Sequence, residues 1–221
     1  MEKEFEIVDK LLSHITISSN PNNQPVSIHG NVKELKCIGI GTDAAVFQYI
    51  HGPAYAYKLF ADDKLEKVQM EAKVYEKLGT SPYFSTFYEA KDRYLVVSYE
   101  SGITLYNCLQ QGIHIPSQVI QEVDKARAYA RKKGLNPRDI HLKNILLQGD
   151  NVKIIDVSEY LLPGDDGRWE HLKRGYEEYY RLIDGKSIPT WLLETVRKSY
   201  NNRQTTSIEE FFKDVLKLKW F

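Results

Sequence analysis

Three strand-like runs, VKELKCIGI, AAVFQYI and AYAYKLF, fill residues 32–60 and are separated only by GTD and HGP. Runs this rich in β-branched and aromatic residues, joined by such short turns, are expected to lie as neighbouring antiparallel strands. The period then changes. In DDKLEKVQMEAKVYEKL (62–78), Leu65, Val68, Ala72, Tyr75 and Leu78 recur at helical spacing, acids stand near the start, and Gly79 follows as the stop. Two more strands, near 84–90 and 93–99, meet at KDR. The first half of the chain is therefore expected to form a five-stranded antiparallel sheet with one inserted helix.

Upstream, Phe5, Val8, Leu11 and Leu12 share one face of a short amphipathic helix over 2–14, expected to brace the sheet, and SSNPNNQP (18–25) is a turn-rich break. From ESG (100–102) the chain turns mostly helical. Helices are expected near 104–111, 117–133, 168–184, 190–200 and 207–218, with a tight strand pair (145–148 and 152–155) turning at GDN. This is an α+β layout with its boundary at Tyr99 to Gly102, dividing the chain into 1–98 and 99–221. In WEHLKRGYEEYYRLI (169–183) the aromatics fall at helical spacing, which core packing explains better than ligand stacking.

Charge narrows the function classes. Thirty basic residues balance thirty acidic ones, so no global field draws the protein to nucleic acid or an anionic membrane, and any anion site must be local. No apolar run approaches the roughly 18 residues that span a bilayer. MEKEFEIVDKLL lacks the apolar core of a signal peptide, and Cys37 and Cys108 show no metal-ligand spacing. A cytoplasmic protein with reduced thiols is expected.

Five local patterns carry chemistry. GIGTDAAVF (39–47) is a Gly-x-Gly turn between strands, where Gly39 and Gly41 would let backbone N–H groups approach an anion. Lys58 in AYAYKLF lies between apolar residues and must snorkel or find an anion. Glu71 starts an apolar helical face and is the expected partner of Lys58, with Glu66 and Glu76 as competitors. NPRDIHLKNILL (136–147) carries an Asp five residues before an Asn, and VKIID (152–156) ends on a second acid.

In this order and at these separations, residues 35–158 resemble a compact bacterial eukaryotic-like serine/threonine protein kinase. The resemblance implies a two-lobed fold, a five-stranded antiparallel N-lobe with one αC-type helix and a reduced helical C-lobe. It implies ATP and Mg2+, with Mn2+ as a substitute, as cofactors. Gly39, Gly41, Ala44 (in place of a third glycine), Val46 and Ala56 would line the nucleotide, and Ser98, Tyr99 and Glu100 would offer backbone to adenine, with Val97 as gatekeeper. Lys58 would meet the α/β-phosphates, Asp139 would take or orient the acceptor proton, and Asn144 and Asp156 would hold metal. Arg138 matches the Arg of H-R-D.

Several positions depart from the family pattern. Pro137 stands where the motif has His, and Asp156-Val-Ser replaces D-F-G, as in Rio-type atypical kinases. His141 stands where protein kinases usually place a γ-phosphate-steadying Lys and could do that work only when protonated or by neutral hydrogen bonding, and Lys143 is the alternative source of that charge. Only EYLLPGDDGR separates Ser158 from the next helix, no A-P-E is visible, and the two acids of GDDG form a turn or contact a basic substrate. DIHLKN also fits the D-x-H-x-x-N loop of aminoglycoside and choline kinases, so a small-molecule phosphotransferase is the second reading. A catalytically silent binding module is the third. The protein substrate or partner is left open.

Overall fold

The computed structural model describes residues 2–202. The expected helix at 207–218 lies outside the described residues. The five-stranded antiparallel sheet is present, built from β1 (Leu35–Ile40), β2 (Ala44–Tyr49), β3 (Tyr55–Phe60), β4 (Phe87–Ala90) and β5 (Tyr94–Ser98) in the order β1-β2-β3-β5-β4. Six helices accompany it among the described residues: α1 (Glu2–Leu12), α2 (Glu66–Leu78), α3 (Leu105–Gln111), α4 (Gln118–Lys132), α5 (Arg168–Tyr179) and α6 (Thr190–Asn202).

Both faces of the sheet are buried, so its central strands read as continuous apolar runs. The period of two sorts β3 between two cores. Tyr57 and Leu59 join a cluster with Val8, Leu12, Ile17, Phe47, Tyr94 and Val96, where α1 closes the face. Ala56 and Phe60 point the other way and join Val68, Ala72, Tyr75, Val97 and the helical half through Val123, Ala126, Ile145 and Trp169. The same alternation sends Lys58 to the second face, toward α2. On α2, Val68, Glu71, Ala72, Tyr75 and Leu78 form the buried stripe, so a carboxylate sits within an apolar row.

Two details were not read from sequence. The break at 18–25 is the loop of a small hairpin, in which Thr16–Ser18 pairs with Ser27–His29. A two-residue strand, Ile103–Thr104, pairs with Leu146 and Leu147 of the strand Ile145–Gln148, which itself pairs with Asn151–Ile154. The chain passes from sheet to helices here at Gly102 (φ +150°), where an added Cβ would stand 2.7 Å from the Leu147 carbonyl oxygen. Only glycine tolerates both that conformation and that approach.

Two expected helices are shorter than their apolar patterns. Residues 62–64 form a 3-10 turn before α2, with Asp62 and Asp63 drawn to Arg93 and Ser19. Helix α5 stops at Tyr179 and a 3-10 turn follows, because the Tyr180 hydroxyl is committed to Asp184 and to the Ile115 N–H. The 169–183 aromatics are packing residues: Trp169 is buried and donates from Nε1 to Asp124, and Tyr176 donates to the Ile115 carbonyl.

Candidate active site

The Gly-x-Gly turn closes β1 onto β2, with Gly39 opposite Val46 and the Gly41 N–H donating to the Ala44 carbonyl at 2.8 Å. Neither glycine has a positive φ. A Cβ at Gly39 would meet Val46 at an ordinary 3.7 Å, and one at Gly41 would stand 3.3 Å from the Ala44 oxygen. The glycines here keep the turn open rather than relieve backbone strain. Val46 is half-buried and paired with Lys58, and Ala56 is buried and paired with Val97. The Ser98 N–H is donated to Thr86 and the Tyr99 N–H to Ala54, so those two donors are spent within the protein. The Glu100 carboxylate turns toward Ser98 Oγ and lies 3.6 Å from Lys153.

Lys58 does not snorkel. Its Nζ donates to both Glu71 oxygens at 2.8 and 2.7 Å and lies 3.4 Å from Asp156 Oδ1. Glu71, rather than Glu66 or Glu76, is the partner, because only Glu71 shares the buried stripe of α2. Burial alone would lower the Lys58 pKa, but Asp156 and Glu71 outweigh it and hold it above its ordinary value. Burial pushes Glu71 up, against the pull of Lys58. Burial would also raise Asp156, yet Lys58 and hydrogen bonds from Ser158 keep it below the usual carboxylate range. A buried pair of this kind is costly to break, since removing one member strands the other charge at about 3–5 kcal/mol.

The loop between α4 and the strand at 145 holds the other polar groups. Asp139 has φ +53°, a left-handed conformation unusual for a residue with a side chain. The Asp166 carboxylate holds it there by accepting the Asp139 N–H at 2.7 Å. Asn144 donates from Nδ2 to the Asp139 carbonyl at 3.1 Å, which leaves its Oδ1 as the atom able to ligate a cation. The Asn144 carbonyl accepts the Ile155 N–H, fixing the loop beside Asp156. Arg138 bonds Glu159 at 3.1 Å and the Pro163 carbonyl at 2.6 Å, and Asn136 bonds the carbonyls of Leu162 and Gly164. The short segment after Asp156 is thereby tied to the loop.

The ionisable groups flanking Asp139 in the loop are paired or neutral. Lys143 does not supply a cation beside Asp139: its Nζ donates to Glu194 of α6 at 3.0 Å and lies 4.5 Å from the Tyr106 ring centroid. His141 is no cation either, because burial, then Arg168, lowers it to about 4. Its Nδ1 accepts the Lys143 N–H, which leaves the proton on Nε2, 3.9 Å from Asp139 Oδ2. GDDG is the helix-entry turn expected of it, and its acids are engaged within the protein. Asp165 pairs with Arg127 and Arg131, and Asp166 serves Asp139 and Arg168.

The cation beside Asp139 is Arg168, whose Nη1 donates to Asp139 Oδ1. Sequence reading did not assign Arg168, and it read Asp166 only as one of the two acids of GDDG. The available signal was an Arg in the first helical turn, where the helix dipole favours acids. The constellation thus holds a buried lysine between two carboxylates, an oxygen-donor pair in Asn144 and Asp156, and a separate aspartate within reach of an arginine and a neutral histidine. Such a set can bind a polyanion and a hard cation and can accept a proton.

No helix among the described residues is long and apolar enough to cross a membrane. No protein-family model matches the chain. A protein of Bacillus subtilis (strain 168) named "Putative serine/threonine-protein kinase YrzF" is 35% identical over 192 residues, covering 86% of this chain and 89% of its own length. With that identity spread over most of both chains, the protein belongs to the same kinase-like family as this Bacillus relative.

Proposed function

We propose that the protein is a minimal serine/threonine protein kinase that moves the γ-phosphoryl group of ATP to a hydroxyl in the presence of Mg2+. Residues 1–98, with the sheet, α1 and α2, and residues 99–221 act as two lobes, and nucleotide enters between them. The short Asp156-Val-Ser segment makes the protein Rio-like, without a switchable activation loop. The observation that carries this reading is Lys58 Nζ, bonded to Glu71 on one side and within 3.4 Å of Asp156 on the other. That lysine is oriented and kept charged, as a phosphate-binding cation must be.

In this reading Lys58 meets the α/β-phosphates and Glu71 keeps it from collapsing onto Asp156. The ionised Asp156 and Asn144 Oδ1 fit a hard divalent cation, which when bound would neutralise charge on the phosphates. Asp139 receives the proton of the attacking hydroxyl. Val46, Ala56 and Val97 give an apolar lining, and Ser98 to Glu100 offer carbonyls, with Glu100 as the remaining N–H donor of that trio.

A second reading, transfer to a small hydroxylated or amino compound, is favoured by one observation. His141 is neutral and beside Asp139, as the D-x-H-x-x-N form would place it. Thermal shift and label transfer test both. Mg–ATP should raise the melting temperature, an effect lost in Asp156→Ala and weakened in Lys58→Ala; equal shifts in all variants would count against the site. Radiolabel transfer to the protein itself or to a basic protein, abolished in Asp139→Ala, supports a protein kinase. Turnover stimulated only by small acceptors supports the second reading, and binding without turnover supports a silent module.

A further inference from the structure

Arg168 stands in the first turn of α5, with its side chain 38% exposed. A cation is disfavoured there by the helix dipole, so its place needs a compensating partner. The structure gives it two acids. Nη1 donates to Asp139 Oδ1, and Nε lies 3.6 Å from Asp166 Oδ2. The approach is built by the chain around it. Gly167 (φ +65°) turns into the helix, Asp165 Oδ1 accepts the Gly167 N–H at 2.9 Å, and Asp166 Oδ1 accepts the Arg168 N–H at 3.1 Å. Asp166 also holds Asp139 in its left-handed conformation. The guanidinium and the proton-accepting carboxylate are thus placed by one side chain.

The other basic groups of the loop are committed elsewhere. Lys143 is tied to Glu194, and Arg138 to Glu159 and Pro163. Among the described residues, Arg168 is the one permanent cation ion-paired with Asp139. Guanidinium presents a planar fork that suits phosphate oxygens as well as carboxylates.

We infer that Arg168 is a catalytic residue that binds the γ-phosphoryl group of ATP, exchanging Asp139 for phosphate oxygens. The inference rests on the phosphotransfer reading above. In the reaction, the acceptor oxygen bonds to the γ-phosphorus and the bond from that phosphorus to the β-bridging oxygen breaks. ADP leaves with the bond pair, and the acceptor proton passes to Asp139. The charge on the transferring oxygens falls on Arg168 as Asp139 is released to take that proton. The Asp139 contact competes with nucleotide for the same guanidinium.

That competition gives a test that does not depend on turnover. Titrations with Mg–AMP-PNP and Mg–ADP are compared in the unaltered protein, Arg168→Ala, Asp139→Asn and the double variant. Arg168→Ala should weaken AMP-PNP binding about tenfold or more and leave ADP within about twofold, the size expected for charge-assisted hydrogen bonds. Asp139→Asn should tighten AMP-PNP by freeing Arg168, and the double variant should lose that gain. Arg168→Lys should restore part of the affinity, because it keeps charge without the fork. Equal changes in AMP-PNP and ADP would make Arg168 a structural residue and overturn the inference. So would a gain that persists in the double variant, since relief of repulsion alone would then explain it. If the AMP-PNP pattern holds but the unaltered protein turns over no ATP, the phosphotransfer reading fails and Arg168 stands as a γ-phosphate ligand.

Discussion

Burial pushes the Asp139 carboxyl up to about 7, against the pull of Arg168, while Glu159, Asp156 and Asp166 add to the rise. A proton acceptor works best with a pKa near the working pH, so Asp139 is suited to the role proposed for it. Transfer should rise with pH through a limb centred near 7, and a carboxyl-labelled NMR titration of Asp139 should show the same midpoint. A midpoint below about 5 would remove Asp139 from the role. The same shift has a cost in stability. An unfolded Asp titrates near 4, so the folded state binds this proton more tightly. The stability this contributes at acid pH is lost as pH climbs from about 4 through about 7. His141 works in the opposite sense. Its folded value of about 4 lies below the roughly 6.5 of an unfolded His, so stability present above 6.5 is lost as pH falls toward 4.

At the scale of elements, α6 is fastened to the Asp139 loop by one carboxylate. Glu194 accepts from Lys143 at 3.0 Å, from the Tyr106 hydroxyl at 2.9 Å and from Arg197 at 2.7 Å. Burial would raise Glu194, but these bonds outweigh it and bring it to about 2. Glu194→Gln keeps the shape and removes the charge. It should cost about 1–2 kcal/mol in chemical denaturation, a figure reduced by the exposure of Lys143. It should also speed hydrogen exchange over 190–200; unchanged protection there would mean that apolar packing alone holds α6.

This strap shows what a sequence can disclose. The five strands and α2 were legible because their periods of two and 3.6 are local, and Glu71 was legible because its helical face is local too. The pairing of Lys143 with Glu194 was not legible because the two lie 51 residues apart. The contacts of Arg168 and Asp166 with Asp139 were hidden for the same reason, spanning 29 and 27 residues. The hairpin at 16–29 escaped notice because three-residue strands are too short to show alternation.

Across the whole molecule, the sheet separates two cores with different duties. One face carries Lys58 and abuts α2 and the helical part, while the other is closed by α1 and the small hairpin. The α1 contact is specific: Val8 and Leu12 are buried, Phe5 meets Tyr55 with ring centroids 5.5 Å apart, and the Tyr94 hydroxyl donates to Asp9 at 3.1 Å. The N-terminal helix therefore braces the sheet from the side away from the site. Leu12→Ala should remove about 2–5 kcal/mol of stability, the usual cost of a buried leucine. Its effect on Mg–ATP affinity, measured well below the melting temperature, should stay within about threefold, because Leu12 lies across the sheet from Lys58. A large loss of affinity in a protein that remains folded would mean that the sheet transmits strain from one core to the other. The brace would then be part of the site rather than its support.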